Sequence, residues 1–277
     1  MQPLAAKQVI LELLRVAPGP IAVGDLVTIG SWFDLDQNAV RVALARLKQR
    51  GVVQAAEGKY TLDPASTGVS DWAESWRQGD DRLKPWHGAW LCALLPKGRG
   101  AADRRSATKA LQRYGYAPGL TNLWVRPANL RAQQEGLTES LARVGLPNDV
   151  VLFQATDFPT DLSNSWQINL WPTQEITARL EQALQAVRAS NTELKNPPSQ
   201  ETLLTAFRVG SHALRQLAQD PLLPDQICDG APRRALTQAM LRYDERGREL
   251  WNTETVSVLI SQSKPTPTKK ADRKVDP

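Results

Sequence analysis

The chain has 277 residues, 42% hydrophobic and 23% charged, with 34 Lys and Arg against 29 Asp and Glu and a net charge of +5. At roughly 150 residues per domain this length predicts about two domains, with room for three small ones, and the apolar fraction is enough to bury real cores. No apolar run approaches the ~20 residues of a membrane helix, and Lys7, Glu12 and Arg15 break the N-terminal apolar stretch, so neither a spanning segment nor a secretory signal is expected. Two cysteines far apart in sequence, Cys92 and Cys228, exclude a disulfide framework or a Cys-based zinc site, and two histidines, His87 and His212, leave little for metal or triad chemistry. A cytoplasmic protein with no metal and no resident cofactor is expected.

The positive charge is concentrated at the C-terminus. Residues 262–277 carry five of the bases and two of the acids, which is +3 of the +5. With three prolines and no large apolar residue beyond Val275, this stretch cannot bury enough surface to offset ordering entropy. A disordered basic tail is expected over 256–277.

In the first seventy residues the period is helical. Pro3 to Val16 places Ala6, Ile10, Leu13 and Leu14 on one face, and Pro18-Gly19-Pro20 ends it. Ile21 reads as extended. Val23 to Ile29 is a short second helix with Gly30 placed to stop it. Asp34 or Asp36 is placed to cap a third helix that runs to Arg50, with Val40, Ala43, Leu44 and Leu47 inward. From Asn38 to Arg50 there are four bases and no acid. The following VVQAAEGKYTL alternates around Glu57-Gly58-Lys59 as a β-hairpin. Three short helices and a hairpin form the order of a winged helix-turn-helix. Its third helix suits a major groove, where Asn pairs with adenine and Arg with guanine. The candidate DNA-binding residues are Gln37, Asn38, Arg41, Val42, Arg46 and Lys48, with Lys59 on the hairpin for phosphate or minor groove.

Trp72 and Trp76, four apart on a helix over Ser70 to Gln78, read as packing residues. Trp86 to Leu95 reads as a strand, Asp103 to Tyr114 as a helix, Thr121 to Arg126 as a strand, Leu137 to Val144 as a helix and Asp149 to Ala155 as a strand. This order predicts a ferredoxin-like sandwich with its helices on one sheet face. Lys97-Gly98-Arg99-Gly100 is a basic glycine turn, and His87 reads as structural. No phosphate loop, nucleophile elbow or dinucleotide fingerprint is found in a fitting context.

From Thr173 the chain reads as helices, with stripes at Ile176, Leu180, Ala183, Leu184 and Val187, then Leu203, Phe207, Gly210, Leu214 and Leu217, then Leu236, Met240, Tyr243, Gly247 and Leu250. Gly210 and Gly247 suggest close helix contacts. The fold class expected is α+β: a winged helix-turn-helix over 1–69, a central ferredoxin-like domain over 70–165, an all-helical domain for dimerisation and effector binding over 166–255, and the tail.

Here the chain resembles the PaaX family of repressors of phenylacetate catabolism. His212 to Pro224 (HALRQLAQDPLLP) looks like that family's R-x-x-L-x-x-D-P-x-L-P signature, Trp86-His87-Gly88-Ala89-Trp90 like its W-D-G-x-W element, and Arg113 to Pro118 with Leu123-Trp124-Val125 like its helix, turn and W-V strand. The resemblance covers about residues 4 to 251. It implies a homodimeric bacterial repressor that binds double-stranded operator DNA and releases it when an aryl-CoA thioester such as phenylacetyl-CoA binds. The family's middle domain is similar in fold to CRISPR-adaptation nucleases, yet no acid occurs from Lys84 to Arg99, which argues against a metal-dependent nuclease. His87 stands where the family usually has Asp. The effector contacts are not carried over; Arg99, Arg104, Arg105 and Lys109 are candidates for a CoA ester's phosphates on charge alone. The alternatives are a winged-helix adaptor acting through protein contacts and a nucleic-acid-processing enzyme using the central domain.

Overall fold

The computed structural model describes residues 4–17, 19–63, 75–98, 100–131, 134–194, 198–251 and 253–263. The chain divides into two compact units: Met1–Ser66 with Leu194–Thr205 and Arg246–Pro277, and Thr67–Glu193 with Ala206–Glu245. The class is α+β, with two antiparallel sheets.

In the first unit α1 (Ala6–Val16) buries Val9, Ile10, Leu13 and Leu14. A two-residue strand β1 (Ile21–Ala22) leads into α2 (Val23–Trp32), and α3 (Gln37–Gln49) follows. Strands β2 (Val53–Ala56) and β3 (Lys59–Leu62) form the hairpin, and β1 adds to β3, giving the order β1-β3-β2. Glu57 and Gly58 at the hairpin tip have φ of 50° and 74°. Two successive left-handed residues match the strand twist, and glycine relieves the strain at one of them. Helix α2 extends past the expected stop at Gly30. The glycine is instead a point of contact, because a Cβ there would stand 2.7 Å from Val40 Cγ2. Asp34, at φ 60°, makes the turn between α2 and α3.

The second unit opens with 3₁₀ turns over Ser75–Arg82 broken at Gly79, where an α-helix over Ser70 to Gln78 was expected; Trp72 lies outside the described residues. Then come β4 (Trp90–Leu94), α4 (Ala101–Arg113), β5 (Ala117–Leu120), β6 (Leu123–Pro127), α5 (Gln134–Arg143) and β7 (Val151–Ala155). The sheet order β5-β6-β4-β7, all antiparallel, is the ferredoxin-like arrangement. Ala93, Ala107, Ala110, Leu111, Leu137 and Leu141 form the core between sheet and helices. The first expected strand is shorter at its start: Gly88, at φ 84°, turns the chain, and the Trp86 indole N–H donates to the Ala89 carbonyl at 2.6 Å. Strand β5 was not expected at all. Helices α6 (Thr160–Asn169), α7 (Thr173–Glu193), α8 (Gln200–Ala218) and α9 (Ala231–Leu250) follow, the last two contributing to both units.

On the sheet's other face Trp90 is 1% exposed. It meets Trp86 and Trp166 edge-on at 5.3 and 5.2 Å and stacks on Trp171 at 6.3 Å. Each such pair adds about 1 kcal/mol beyond its burial. The Trp171 indole donates to the Gly115 carbonyl at 3.2 Å. Gly115, at φ 76°, lies so close to Pro221 that a Cβ would stand 2.4 Å from the Pro221 oxygen. The Asn129 amide donates to the Leu222 carbonyl at 2.8 Å, and the Leu222 N–H to Asp220 Oδ1 at 2.6 Å. The three segments that carry the sequence signature therefore hold one another: the first tryptophans, the Gly115 turn and the Asp220–Pro224 loop.

Two expectations are corrected. Residues 256–263 belong to α10 (Thr253–Ser263), not to a disordered tail: Ile260 is buried and the helix packs on α2, because Val256, Leu259 and Ile260 supply the apolar face the later residues lack. Residues 264–277 lie outside the described residues. Gly210 does approach another helix, at 3.5 Å from the Tyr243 ring for a Cβ, but nothing stands within 4 Å of one at Gly247.

Two outcomes follow from these contacts. Gly115→Ala adds left-handed strain and an overlap with backbone, so it should cost about 2 kcal/mol or more, read as a lower unfolding midpoint. Asp80 pairs with Arg233 at 2.8 Å and Arg234 at 3.2 Å. Burial pushes its carboxyl up, but the two guanidiniums outweigh this and leave it below the ordinary 3.8. That stability is present above the ordinary value and lost as pH falls through the lowered one. Asp80→Asn should thus cost about 2 kcal/mol at neutral pH, with the difference shrinking below about pH 4 in denaturant titrations.

Candidate nucleic-acid interface

Helix α3 is anchored by Val40, Leu44 and Leu47, which are at most 2% exposed. The Asp36 carboxylate caps it, accepting from the Asn38 N–H at 3.0 Å. The close approach at Gly30 sets α2 against α3 at the buried Val40.

With one side anchored, helix geometry at about 100° per residue fixes what faces out. Asn38, Val42, Ala45 and Gln49 form the central outward stripe, and all are exposed. Arg41 and Lys48 flank it on one side and Arg46 on the other. Gln37 lies next to Arg41, and its side-chain oxygen, with the amide turned to accept, is 3.0 Å from the guanidinium. All seven sequence-derived residues are exposed. Six share α3. Ala45 and Gln49, absent from that set, share the central stripe and were legible from the same periodicity. The stripe carries amide donors and acceptors, guanidinium flanks and two small apolar groups able to touch a thymine methyl, with no carboxylate among them.

Lys59 starts β3, opposite Ala56 and Ala22. It is exposed and also lines a cleft of about 410 Å³ with Trp251 and Ile260. Glu57 at the hairpin tip puts a carboxylate beside it, so the wing is less basic than the helix.

The candidates for anion binding are placed differently. Arg104, Arg105 and Lys109 lie on the solvent side of α4, along a depression walled by that helix alone. Arg99 lies outside the described residues. His87 is exposed rather than packed between its two buried tryptophan neighbours. A deeper cavity of about 450 Å³ occurs in the second unit, lined by the 3₁₀ turns, the end of α4, β6, α5 and the Asp220–Leu222 loop. It had no local sign in the sequence, because its lining comes from segments far apart. Among the described residues no cluster of three metal-ligating side chains occurs, and no helix is long and apolar enough to cross a membrane.

Residues 6–63 match the family model described as PaaX-like protein. Among solved structures, the chain is similar to an uncharacterized protein, Rv0674, from Mycobacterium tuberculosis. That protein is 20% identical over 89% of this chain and 98% of its own, with a TM-score of 0.54, a likeness of fold. No curated protein matches the chain. The match spans α1 to β3, the complete winged helix, and supports transcription regulation of the PaaX type. The likeness to the PaaX-like family is thus carried by this N-terminal domain.

Proposed function

We propose that the protein is a DNA-binding transcriptional repressor of the PaaX type that binds a promoter operator as a homodimer and is released by an aryl-CoA thioester. The observation that carries the reading is the outer stripe of α3: exposed, free of acids, bearing Asn38 between flanking arginines, on a helix whose opposite side is fully buried. A rigid helix with that face places base-edge donors in a major groove, and each bidentate pair is worth about 1–3 kcal/mol of discrimination. A dimer would set two such helices about one helical turn of DNA apart. The ester acts only if it binds the DNA-free form better than the bound one.

The test is fluorescence anisotropy on DNA from upstream of the protein's own gene, with random DNA as competitor and phenylacetyl-CoA titrated in. Specific binding released by the ester is expected. Asn38→Ala and Arg41→Ala should each lose about 1–3 kcal/mol on the specific site with little change on random DNA. Lys59→Ala should weaken both DNAs alike and make the dependence on salt shallower. Equal loss on both DNAs for Arg41→Ala would remove its base-reading role. No preference over random DNA would favour an adaptor working through protein contacts.

A further inference from the structure

Arg126, at 1% exposure, is among the largest fully buried side chains of the protein. Its guanidinium donates to the Tyr114 and Pro127 carbonyls and to Asn129 Oδ1. These acceptors are all neutral. Arg82, half-buried nearby, donates to the Gly79 carbonyl at 3.0 Å and to Ser75 Oγ at 3.3 Å, again neutral groups. Both open onto the 450 Å³ cavity, which Arg113, Arg131 and Arg143 also line. Two carboxylates share the lining with these five cations, Asp81 and Asp220, and Arg143 pairs with Glu139 at 3.3 Å. Asp81 is exposed. The field of Asp220 reaches Arg82 and Arg126 and that of Asp80 reaches Arg82, but the hydrogen bonds of Asp220 go to Leu222 N–H and Arg233 and those of Asp80 to Arg233 and Arg234. Burial pushes Arg82, Arg113 and Arg126 down from their ordinary values, Arg126 to about 10. A buried cation whose hydrogen bonds go only to neutral acceptors is costly, and an anion in direct contact with it offsets that cost.

The rest of the lining is apolar. Trp76, Leu137 and Leu217 are each at most 4% exposed. The Trp76 indole N–H is buried with no hydrogen-bond partner among the described residues, a donor in need of an acceptor. Ligand sites commonly join a predominantly apolar wall to a few fixed polar groups in a volume of this order.

We propose that this cavity is a binding site for a small organic anion, a carboxylate or a phosphate ester, whose head meets Arg82 and Arg126 and whose apolar body lies against Trp76, Leu137 and Leu217. The site gives a small anionic ligand, distinct from a bulky thioester, a place in the second unit from which it could act on the proposed repressor. It rests on that reading only for its effect on DNA, not for binding itself. The walls include Tyr114, Asp220 and Pro221, so the Gly115 turn and the Asp220–Pro224 loop shape the cavity as well as packing together.

Calorimetry on the full-length chain tests it without DNA. The probes are benzoate and phenyl phosphate, with benzyl alcohol as the neutral counterpart and inorganic phosphate as a head without a body. Saturable one-to-one binding of at least one aromatic anion is expected, tenfold or more tighter than benzyl alcohol or inorganic phosphate. Whether benzoate or phenyl phosphate wins assigns the head group. Arg126→Met should weaken the anion at least tenfold. Because Arg126 also braces the fold, Ser140→Trp, which fills the cavity from half-buried Ser140 on α5, is the second variant and should do the same. Arg179→Ala on the exposed side of α7 should leave binding unchanged. No saturable binding of either anion, equal binding of benzyl alcohol, or binding unaltered by Ser140→Trp would overturn the proposal. A failed operator experiment would leave the calorimetric result standing, so the two readings fail separately.

Discussion

A guanidinium removed from water must be met by acceptors on nearly every N–H, and Arg126 imposes that demand on the second unit. It sits at the end of β6. To satisfy it, the Tyr114 carbonyl at the end of α4 and the Asn129 amide just past β6 turn inward. Asn129 then spends its own N–H on the Leu222 carbonyl. Asp220 fixes that loop from the other side through the Leu222 N–H, and Arg233 ties Asp220 to Asp80. The chain of polar contacts thus runs from a strand end to a helix end, to the loop before α9, and back to the 3₁₀ turns. The apolar counterpart is the tryptophan group around Trp90. Together they explain why Gly115 has no room for a side chain and why Leu222 sits at φ 56°.

The first unit is organised by a different economy, that of small apolar contacts. Gly30 lets α2 approach Val40, the core residues of α3 lock its rotation, and the capping Asp36 fixes where it starts. The exposed stripe is a consequence of what is buried. Its chemistry can change without disturbing the fold. The apolar face of α10 on α2 shows that the winged helix does not end at its hairpin but recruits residues from the far end of the chain.

Much of this was legible in the sequence, for identifiable reasons. The α3 face follows from Val40, Leu44 and Leu47 at helical spacing, and the hairpin from Glu57-Gly58 between alternating residues. The ferredoxin-like order followed from three of its four strands. Strand β5 was hidden because Ala117-Pro118-Gly119-Leu120 reads as a turn. It exists as an edge strand with an irregular register, the setting in which proline and glycine are tolerated. In the sequence Gly30 resembles a helix stop because close packing and chain termination use the same residue. The cavity was invisible because Arg82, Arg126, Leu137 and Leu217 belong to separate elements.

The account turns on α3 reading base edges in a major groove. Guanine N7 methylation interference on the protein's bound upstream DNA tests this directly, since N7 lies in the major groove. The account predicts interference at guanines grouped in two patches about one helical turn apart, lost selectively at one guanine per patch in Arg41→Ala. Bound DNA with no interference at any N7, or interference at adenine N3 in the minor groove alone, would contradict it.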